Sequence, residues 1–335
     1  MYNTTKLLTA VFMLVSIISF GQDEEKKSPL SISGSVDAYF RTNLTSTDQG
    51  SQNPGTSFAD QTGFALGMAN LVLSYEGKKT GAVADLAYGT RGIQAVGGGT
   101  DIFINQLYAY WNVSEKVTLT MGRFNTYLGY EVISPVGNFN YSTSYLFSNG
   151  PFSHVGLKAD FALSDDFSLM LAVMNVTDVN NNITGDYSAG AQLGYKGQFL
   201  NLYYDNGAGL GFEIDYTGGF DVSDDFFLGI NGAYADNDGA GFYGAALYPQ
   251  YATSENFTLG LRGEYFAELG DNNLFAAGED DSVFAVTLTG SYTVENLTIK
   301  PELRLDSNSE DVFFDNDGAA TSSLAGFTLA AIYSF

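Results

Sequence analysis

Cysteine is absent from this 335-residue chain. A secreted chain without disulfides draws its stability from a packed core or from closure of its sheet. Histidine occurs once, at His154, and the sequence offers no Gly-x-Ser-x-Gly elbow or partner set for a Ser–His pair. No enzyme is expected, and no cofactor. Proline is scarce, with 6 residues, and no Pro-rich or Ser-rich spacer divides the chain, so one domain is expected. Cationic side chains are few: 14 Lys and Arg stand against 38 Asp and Glu, a net charge of −24. That balance argues against nucleic acid as a partner, since phosphate binding needs basic patches. It also disfavours a peripheral role on anionic membranes. Beyond Phe20 no stretch reaches the ~18 consecutive apolar residues of a membrane-spanning helix.

What is present begins at the two ends. Residues 1–21 place Lys6 in a short polar start, then an apolar run from Leu7 to Phe20, then Ser19-Phe20-Gly21 where a signal peptidase reads. The run is too short and wrongly flanked for a spanning helix. A secretory signal over 1–21, cleaved before Gln22, is expected, with an uncleaved anchor as the alternative. No Cys lies near the cut, which excludes a lipid-anchored lipoprotein. Residues 22–29 read as a short periplasmic tail and 30–335 as one domain. At the other end Phe327, Leu329, Ala331, Tyr333 and Phe335 share one parity. Gly326, Thr328, Ala330 and Ser334 share the other, with Ile332 the single exception. This is a period-2 strand with one apolar face. Ending on an aromatic, it resembles the terminal strand of Gram-negative outer-membrane β-barrels. Phe327, Tyr333 and Phe335 are then the expected signal for the barrel-assembly machinery.

The same alternation recurs along the chain. Leu297, Ile299, Pro301, Leu303 and Leu305 oppose Thr298, Lys300, Glu302, Arg304 and Asp306. Residues 155–163, 257–265, 284–293 and 32–41 behave alike, while 64–75 slips phase near Met68, as at a bulge. In 102–112 both parities carry bulky residues. Short Ser/Asp/Asn turns join many strands: Ser114-Glu115-Lys116, Ser164-Asp165-Asp166, Ser223-Asp224-Asp225 and Ser254-Glu255-Asn256. Apolar residues resume at once on either side, so these read as hairpins. Between them lie mostly longer polar segments at 43–62, 91–101, 126–151, 176–189, 206–208, 236–241, 268–282 and 307–324. One strand, seven hairpins and a final strand give about 16 strands, an even number with both ends on the short-turn side. Gly and aromatics are abundant, with 39 Gly, 26 Phe and 22 Tyr, as in barrels with aromatic girdles.

A soluble β-sandwich would hide one face and wet the other in the same way. The alternation of short turns with long loops favours a closed antiparallel transmembrane β-barrel. So does the aromatic C-terminus, and so do mid-strand charges of both signs on the polar faces. Several segments add a resemblance. They are Ile32-Ser33-Gly34-Ser35-Val36-Asp37-Ala38-Tyr39-Phe40-Arg41, Met68-Ala69-Asn70-Leu71, Gly122-Arg123-Phe124 leading to Gly129-Tyr130-Glu131, and Gly156-Leu157-Lys158-Ala159-Asp160. Further along come Gly244-Ala245-Ala246-Leu247-Tyr248, Leu261-Arg262-Gly263-Glu264-Tyr265-Phe266 and Pro301-Glu302-Leu303-Arg304. In this order they resemble the β-barrel porin family of the OmpL-like group over residues 30–335. The resemblance implies an outer-membrane barrel with a pore role. It carries no catalytic motif, and the external loops match least, so solute choice is not transferred.

On this reading Asp37, Arg41, Asp85, Lys158, Asp160, Arg262, Glu264, Lys300, Glu302, Arg304 and Asp306 line the pore. Opposed charges across a bore create a transverse field, whereas rings of one sign select ions. For each residue taken singly, pairing with a neighbour inside a wet interior is the alternative. The loop 126–151 carries Tyr127, Tyr130, Glu131, Phe139, Tyr141, Tyr145 and Phe147. It follows the fifth strand, as does the inward loop of sixteen-stranded porins. It is expected to narrow the pore with Tyr130, Tyr141, Tyr145 and the fixed charge of Glu131; an external flap is the alternative. Arg123 falls on the apolar parity and is placed at the rim. Asp236-Asn237-Asp238-Gly239 and Asp315-Asn316-Asp317-Gly318 could be Ca²⁺ loops, but they lack the late bidentate Glu and read as turns, so no metal site is expected. Gly97-Gly98-Gly99 lacks the sequel of a phosphate loop.

The expectation is therefore a porin passing small hydrophilic solutes through outer-membrane lipid. Its acidic mouth implies cation preference. A homo-oligomer such as a trimer is open. So are a substrate-specific uptake channel for a sugar, peptide or fatty acid, and a surface interaction barrel.

Overall fold

A strand that alternates apolar and polar residues leaves its backbone unsatisfied unless it pairs on both edges, and in a bilayer only closure achieves that. The computed structural model shows this closure. It describes residues 28–47, 52–96, 103–270 and 280–335; the expected signal peptide and residues 22–27 lie outside these. The strands are β1 (Leu30–Asn43), β2 (Gly63–Glu76), β3 (Thr80–Tyr88), β4 (Ile104–Ser114), β5 (Val117–Asn125) and β6 (Ser153–Ala162). β7 (Phe167–Asn175), β8 (Tyr187–Tyr195), β9 (Gln198–Asp205), β10 (Phe212–Asp221), β11 (Phe226–Asn237) and β12 (Ala240–Ser254) follow. β13 (Phe257–Leu269), β14 (Ser282–Val294), β15 (Leu297–Asn308) and β18 (Ser323–Ser334) complete a barrel of 16 antiparallel strands. A hairpin of β16 (Phe313–Phe314) and β17 (Ala320–Thr321) sits in the last long loop, outside the barrel sheet. Two short helices, α1 (Thr90–Val96) and α2 (Tyr145–Asn149), also lie in loops.

The last strand closes the barrel. β18 lies between β15 and β1, with Tyr333 opposite both Leu297 and Val36. Gly34 and Phe335 exchange both backbone hydrogen bonds at 2.9 Å. Leu329, Tyr333 and Phe335 point outward and are exposed, whereas Ile332 points in and is buried beside Tyr39, Tyr141 and Ala330. The one exception to the strand's apolar parity is thus an inward contact with a loop. Elsewhere the outward parity forms an apolar belt: Phe64, Met121, Val173, Leu247 and Phe284 are all exposed.

Local chemistry sets the connections. At the short-turn end the hydroxyls of Ser164 and Ser254 accept from the N–H of Phe167 and Phe257 at 3.1 Å, which fixes the tight reversal. The phase slip near Met68 is a bulge: Gly67 and Met68 stand opposite the single residue Asp37, whose Oδ1 accepts the Met68 N–H at 2.8 Å. The segment 236–241, expected as a longer loop, is instead a two-residue hairpin turn between β11 and β12. Asp238 and Gly239 both take positive φ, 57° and 91°, the geometry an Asp-Gly pair favours. The 206–208 segment extends to 211. Its glycines Gly207, Gly209 and Gly211 donate to the Asp205 carboxylate at 3.0, 3.2 and 3.1 Å.

The barrel is not hollow throughout. Loops from its long-loop end fold inside, and the buried apolar clusters sit between loop and wall. One joins Phe58, Ile133, Phe147 and Ala95 to the wall residues Met68 and Ala87. Another joins Tyr145 and Leu146 to Ala235, Phe242, Ala246 and Phe266.

Candidate functional site

Strand parity places all the expected wall residues on the inner side, but they meet different surroundings. Those on β13 and β15, and Asp37 on β1, are covered by the loop 126–152. Two carboxylates take its N–H groups: Glu302 accepts from Tyr141 and Ser142 at 2.9 and 3.2 Å, and Glu264 from Tyr145 and Leu146 at 3.0 and 2.8 Å. The cations take its carbonyls. Arg262 donates to Ser142 O at 2.7 Å and Thr143 O at 3.2 Å, Arg304 to Thr143 O at 2.8 Å, and Lys300 to Asn138 O at 2.5 Å. Asp306 accepts from Arg304 at 2.8 Å and from the Tyr145 hydroxyl at 3.0 Å. Asp37 accepts the Tyr141 hydroxyl at 2.5 Å. Burial pushes that hydroxyl above its usual range, so it stays protonated and donates.

The local fold of the loop explains this fit. Ser144 caps α2, its Oγ accepting from Phe147 N at 3.0 Å. The remaining first-turn donors would be orphans in a buried helix. Glu264 from the wall satisfies those of Tyr145 and Leu146, and Glu131 accepts the Ser144 N–H at 2.7 Å. Glu131 also pairs with Arg262 at 2.6 Å, both side chains buried. Glu131 was expected as the fixed charge of a constriction; the structure instead places it in a buried ion pair with Arg262. The same burial leaves at most 7% of each of Arg262, Glu264, Lys300, Glu302, Arg304 and Asp306 exposed.

Steric fit reinforces the polar one. Tyr127, Tyr130 and Phe139 lie against inward-facing glycines of β8, β11 and β13. A β-carbon on Gly190, Gly229 or Gly260 would run into the Tyr127, Tyr130 or Phe139 side chain respectively. Tyr130 also stacks on Tyr248 of β12 with centroids 4.3 Å apart. An inward glycine in a strand marks the close approach of another group.

The remaining wall residues differ. Lys158 and Asp160 on β6 pair with each other at 2.9 Å and keep 26% and 41% of their side chains exposed. Beside them Gln106, Tyr108, Tyr110, Thr118 and Thr120 line a space of about 390 Å³. Asp85 on β3 is buried and accepts from Asn105 at 2.8 Å, Gln106 at 3.1 Å and Asn70. Arg41 is buried near the long-loop end, donating to Gln52 O at 3.0 Å and Asn43 at 2.9 Å.

Arg123 follows Gly122 on the outward parity and donates to Asn105 O at 3.0 Å and to Asn180 of the β7–β8 loop. His154 points inward, buried among Phe124, Tyr127 and Tyr203, with Nε2 3.0 Å from the Thr126 hydroxyl. The carboxylates of Asp236 and Asp315 accept backbone N–H groups of their own turns, from Gly239 at 2.7 Å and from Asp317 and Ala319 at 2.9 Å. Gly97-Gly98-Gly99 lies outside the described residues.

Sequence reasoning missed Arg91 of α1. It is 2% exposed, donates to Ile133 O at 2.7 Å, and lies over the Phe58 ring at 4.4 Å. It ties the second long loop to the docked one. Its signal was available: Arg91 is the only Lys or Arg in any long-loop segment. Asp215 of β10 was missed as well; it accepts Gly129 N–H at 3.0 Å, Asn201 at 2.6 Å and Asn231 at 2.7 Å.

The chain superposes on the outer membrane channel DcaP of Acinetobacter baumannii with TM-score 0.59 and 15% identity, covering 91% of this chain and 97% of that one. It superposes on an anion-selective porin from Comamonas acidovorans with TM-score 0.56 and 11% identity, covering 91% and 99%. A loop-deletion mutant of OmpT, an outer membrane protein of Vibrio cholerae, gives TM-score 0.52 at 11% identity, covering 91% and 99%. At these identities the likeness is one of fold. Among curated proteins, no sequence matches. The family model described as "Putative beta-barrel porin-2, OmpL-like" matches residues 29–335. The chain belongs to this OmpL-like β-barrel porin family and is an outer-membrane channel of a Gram-negative bacterium.

Proposed function

We propose that the chain is a passive diffusion channel for small hydrophilic solutes, cation-preferring, with its water path between the docked loop and the β4–β6 wall. The observation that carries this reading is the division of the inner wall. The charges of β13 and β15, with Asp37 of β1, are consumed by the loop, while Lys158 and Asp160 on β6 stay exposed beside open space. The loop then narrows the bore by its bulk, with Tyr130 against the wall and Tyr141 and Tyr145, expected to face the bore, buried as its anchors, and no chemistry is performed on the solute. Cation preference rests on the mouth. The long-loop segments carry Asp60, Asp178, Asp186, Asp280, Glu310, Asp311, Asp315 and Asp317, while their single cation, Arg91, is buried. Such a field attracts cations and weakens as salt screens it.

In the same reading residues 1–21 are cleaved on export, and the outward Phe327, Tyr333 and Phe335 present the last strand to the barrel-assembly machinery. A trimer is compatible with the apolar outer belt. The test is single-channel current of the refolded mature protein across a planar bilayer under a salt gradient. Steady conductance with a cation-favouring reversal potential is expected; an anion-favouring potential at low salt overturns the preference, and no conductance overturns the channel path.

A further inference from the structure

A cavity of about 460 Å³ lies beneath the docked loop, toward the short-turn end of the barrel, between the loop and the ends of β11, β12, β14, β15 and β18. That volume falls in the range of pockets that hold small-molecule ligands. We infer that this cavity is a binding site for an uncharged polyhydroxy solute, a short oligosaccharide. The inference deepens the channel reading above, on which it rests for access to the site.

Charge decides the class first. Only two ionic groups reach the cavity, and both are engaged. Glu131 is held by Arg262 at 2.6 Å and by the Ser144 N–H at 2.7 Å. Lys300 donates to Asn138 O at 2.5 Å and to Pro135 O at 3.4 Å. A charged solute would give up its hydration without a free counter-charge to replace it. The lining then offers what a sugar ring uses. Phe227 and Tyr130, which is half-buried and backed by the buried Tyr248 ring, supply aromatic surface for the C–H side of a pyranose. Gln250 and Ser291 line the same space, and their side chains make no hydrogen bond to any described residue, which leaves an amide and a hydroxyl for ligand hydroxyls. A purely apolar ligand would leave those groups unpaired.

Two measurements on the full folded chain test the site. Maltotriose is titrated into detergent-solubilised protein by calorimetry, and added to either side of a bilayer holding single channels. Saturable binding is expected, together with brief closures of the open current that become more frequent with sugar concentration. Binding should weaken roughly tenfold in Phe227→Ala and in Gln250→Ala, each judged against its own folded fraction. Absence of binding, or binding unchanged in both variants, overturns the site whether or not current flows. Binding that the variants weaken, in protein that carries no current, upholds the site and overturns the diffusion path.

Discussion

The two halves of the inner wall use the same residue types for opposite purposes. On β15, Lys300, Glu302, Arg304 and Asp306 alternate in sign and are buried; on β6, Lys158 and Asp160 also alternate, and stay exposed. The difference lies in what stands opposite. On β13 and β15 a loop presents backbone N–H and C=O groups, and the wall answers carboxylate to N–H and cation to carbonyl. A mixed-sign strand in a barrel is therefore not evidence of a transverse field on water. It serves equally well as a template for a folded segment, because the backbone it must satisfy is itself of mixed polarity. Of the wall charges, only those without an opposing segment are left to act on passing ions.

Breaking the docked half at its buried ion pair has the largest expected effect. Arg262→Met leaves Glu131 charged and buried and strips donors from Ser142 and Thr143. Loss of one partner of a buried pair costs about 3–5 kcal/mol. The expected result is earlier thermal unfolding in detergent and an open current that is larger and unsteady as the loop leaves its seat. Unchanged unfolding and current would show that the pair does not hold the loop. Glu302→Gln acts less strongly, since the amide still accepts one N–H; about 1.5–3 kcal/mol is the scale of a hydrogen bond to a charged group. Tyr141→Phe belongs to the same class, because it removes the donor to Asp37.

The steric fit offers a separate way to break the same half. Gly260→Val fills the space taken by the Phe139 ring. Overpacking of this kind costs about 1–3 kcal/mol. It should raise conductance without touching any charge, which distinguishes loop displacement from altered electrostatics. If the current is unchanged, Phe139 has room to move while the loop stays docked.

Much of this molecule was legible as sequence, and the reason is the period of two. Parity alone places Lys300, Glu302 and Arg304 inward and Leu303 and Leu305 outward, and the short Ser/Asp turns separate the strands. Parity cannot say what lies opposite an inward side chain, so the same pattern on β15 and β6 reads identically although one is buried. Glu131 was misread for that reason: its partner Arg262 is 131 residues away. Two signals would have narrowed the question. Gly190, Gly229 and Gly260 stand at inward positions where a wall facing only water has no need of glycine. Arg91 stands as the single cation of acidic loops, which suits a buried clasp better than a surface charge. The hairpin at Asp238-Gly239 was legible too, had the pair been given more weight than the surrounding polar run.

The open half is sharpened by the smallest perturbation. Lys158→Gln removes one exposed positive charge and leaves Asp160 beside Tyr108 and Thr118, facing the same space. An exposed pair contributes about 0–1 kcal/mol, so unfolding should hardly shift. The effect belongs to selectivity instead. The reversal potential should move further toward cations, most at low salt and little at 1 M, where the screening length falls to about 3 Å. The same substitution at Lys300 should do the reverse: it removes the donor to Asn138 O, loosens the docked loop, and disturbs unfolding more than selectivity. If both variants shift selectivity alike, the two halves of the wall are equivalent to a passing ion and the division drawn between them fails. If they separate as described, the sign of the preference is set by β6 and the mouth.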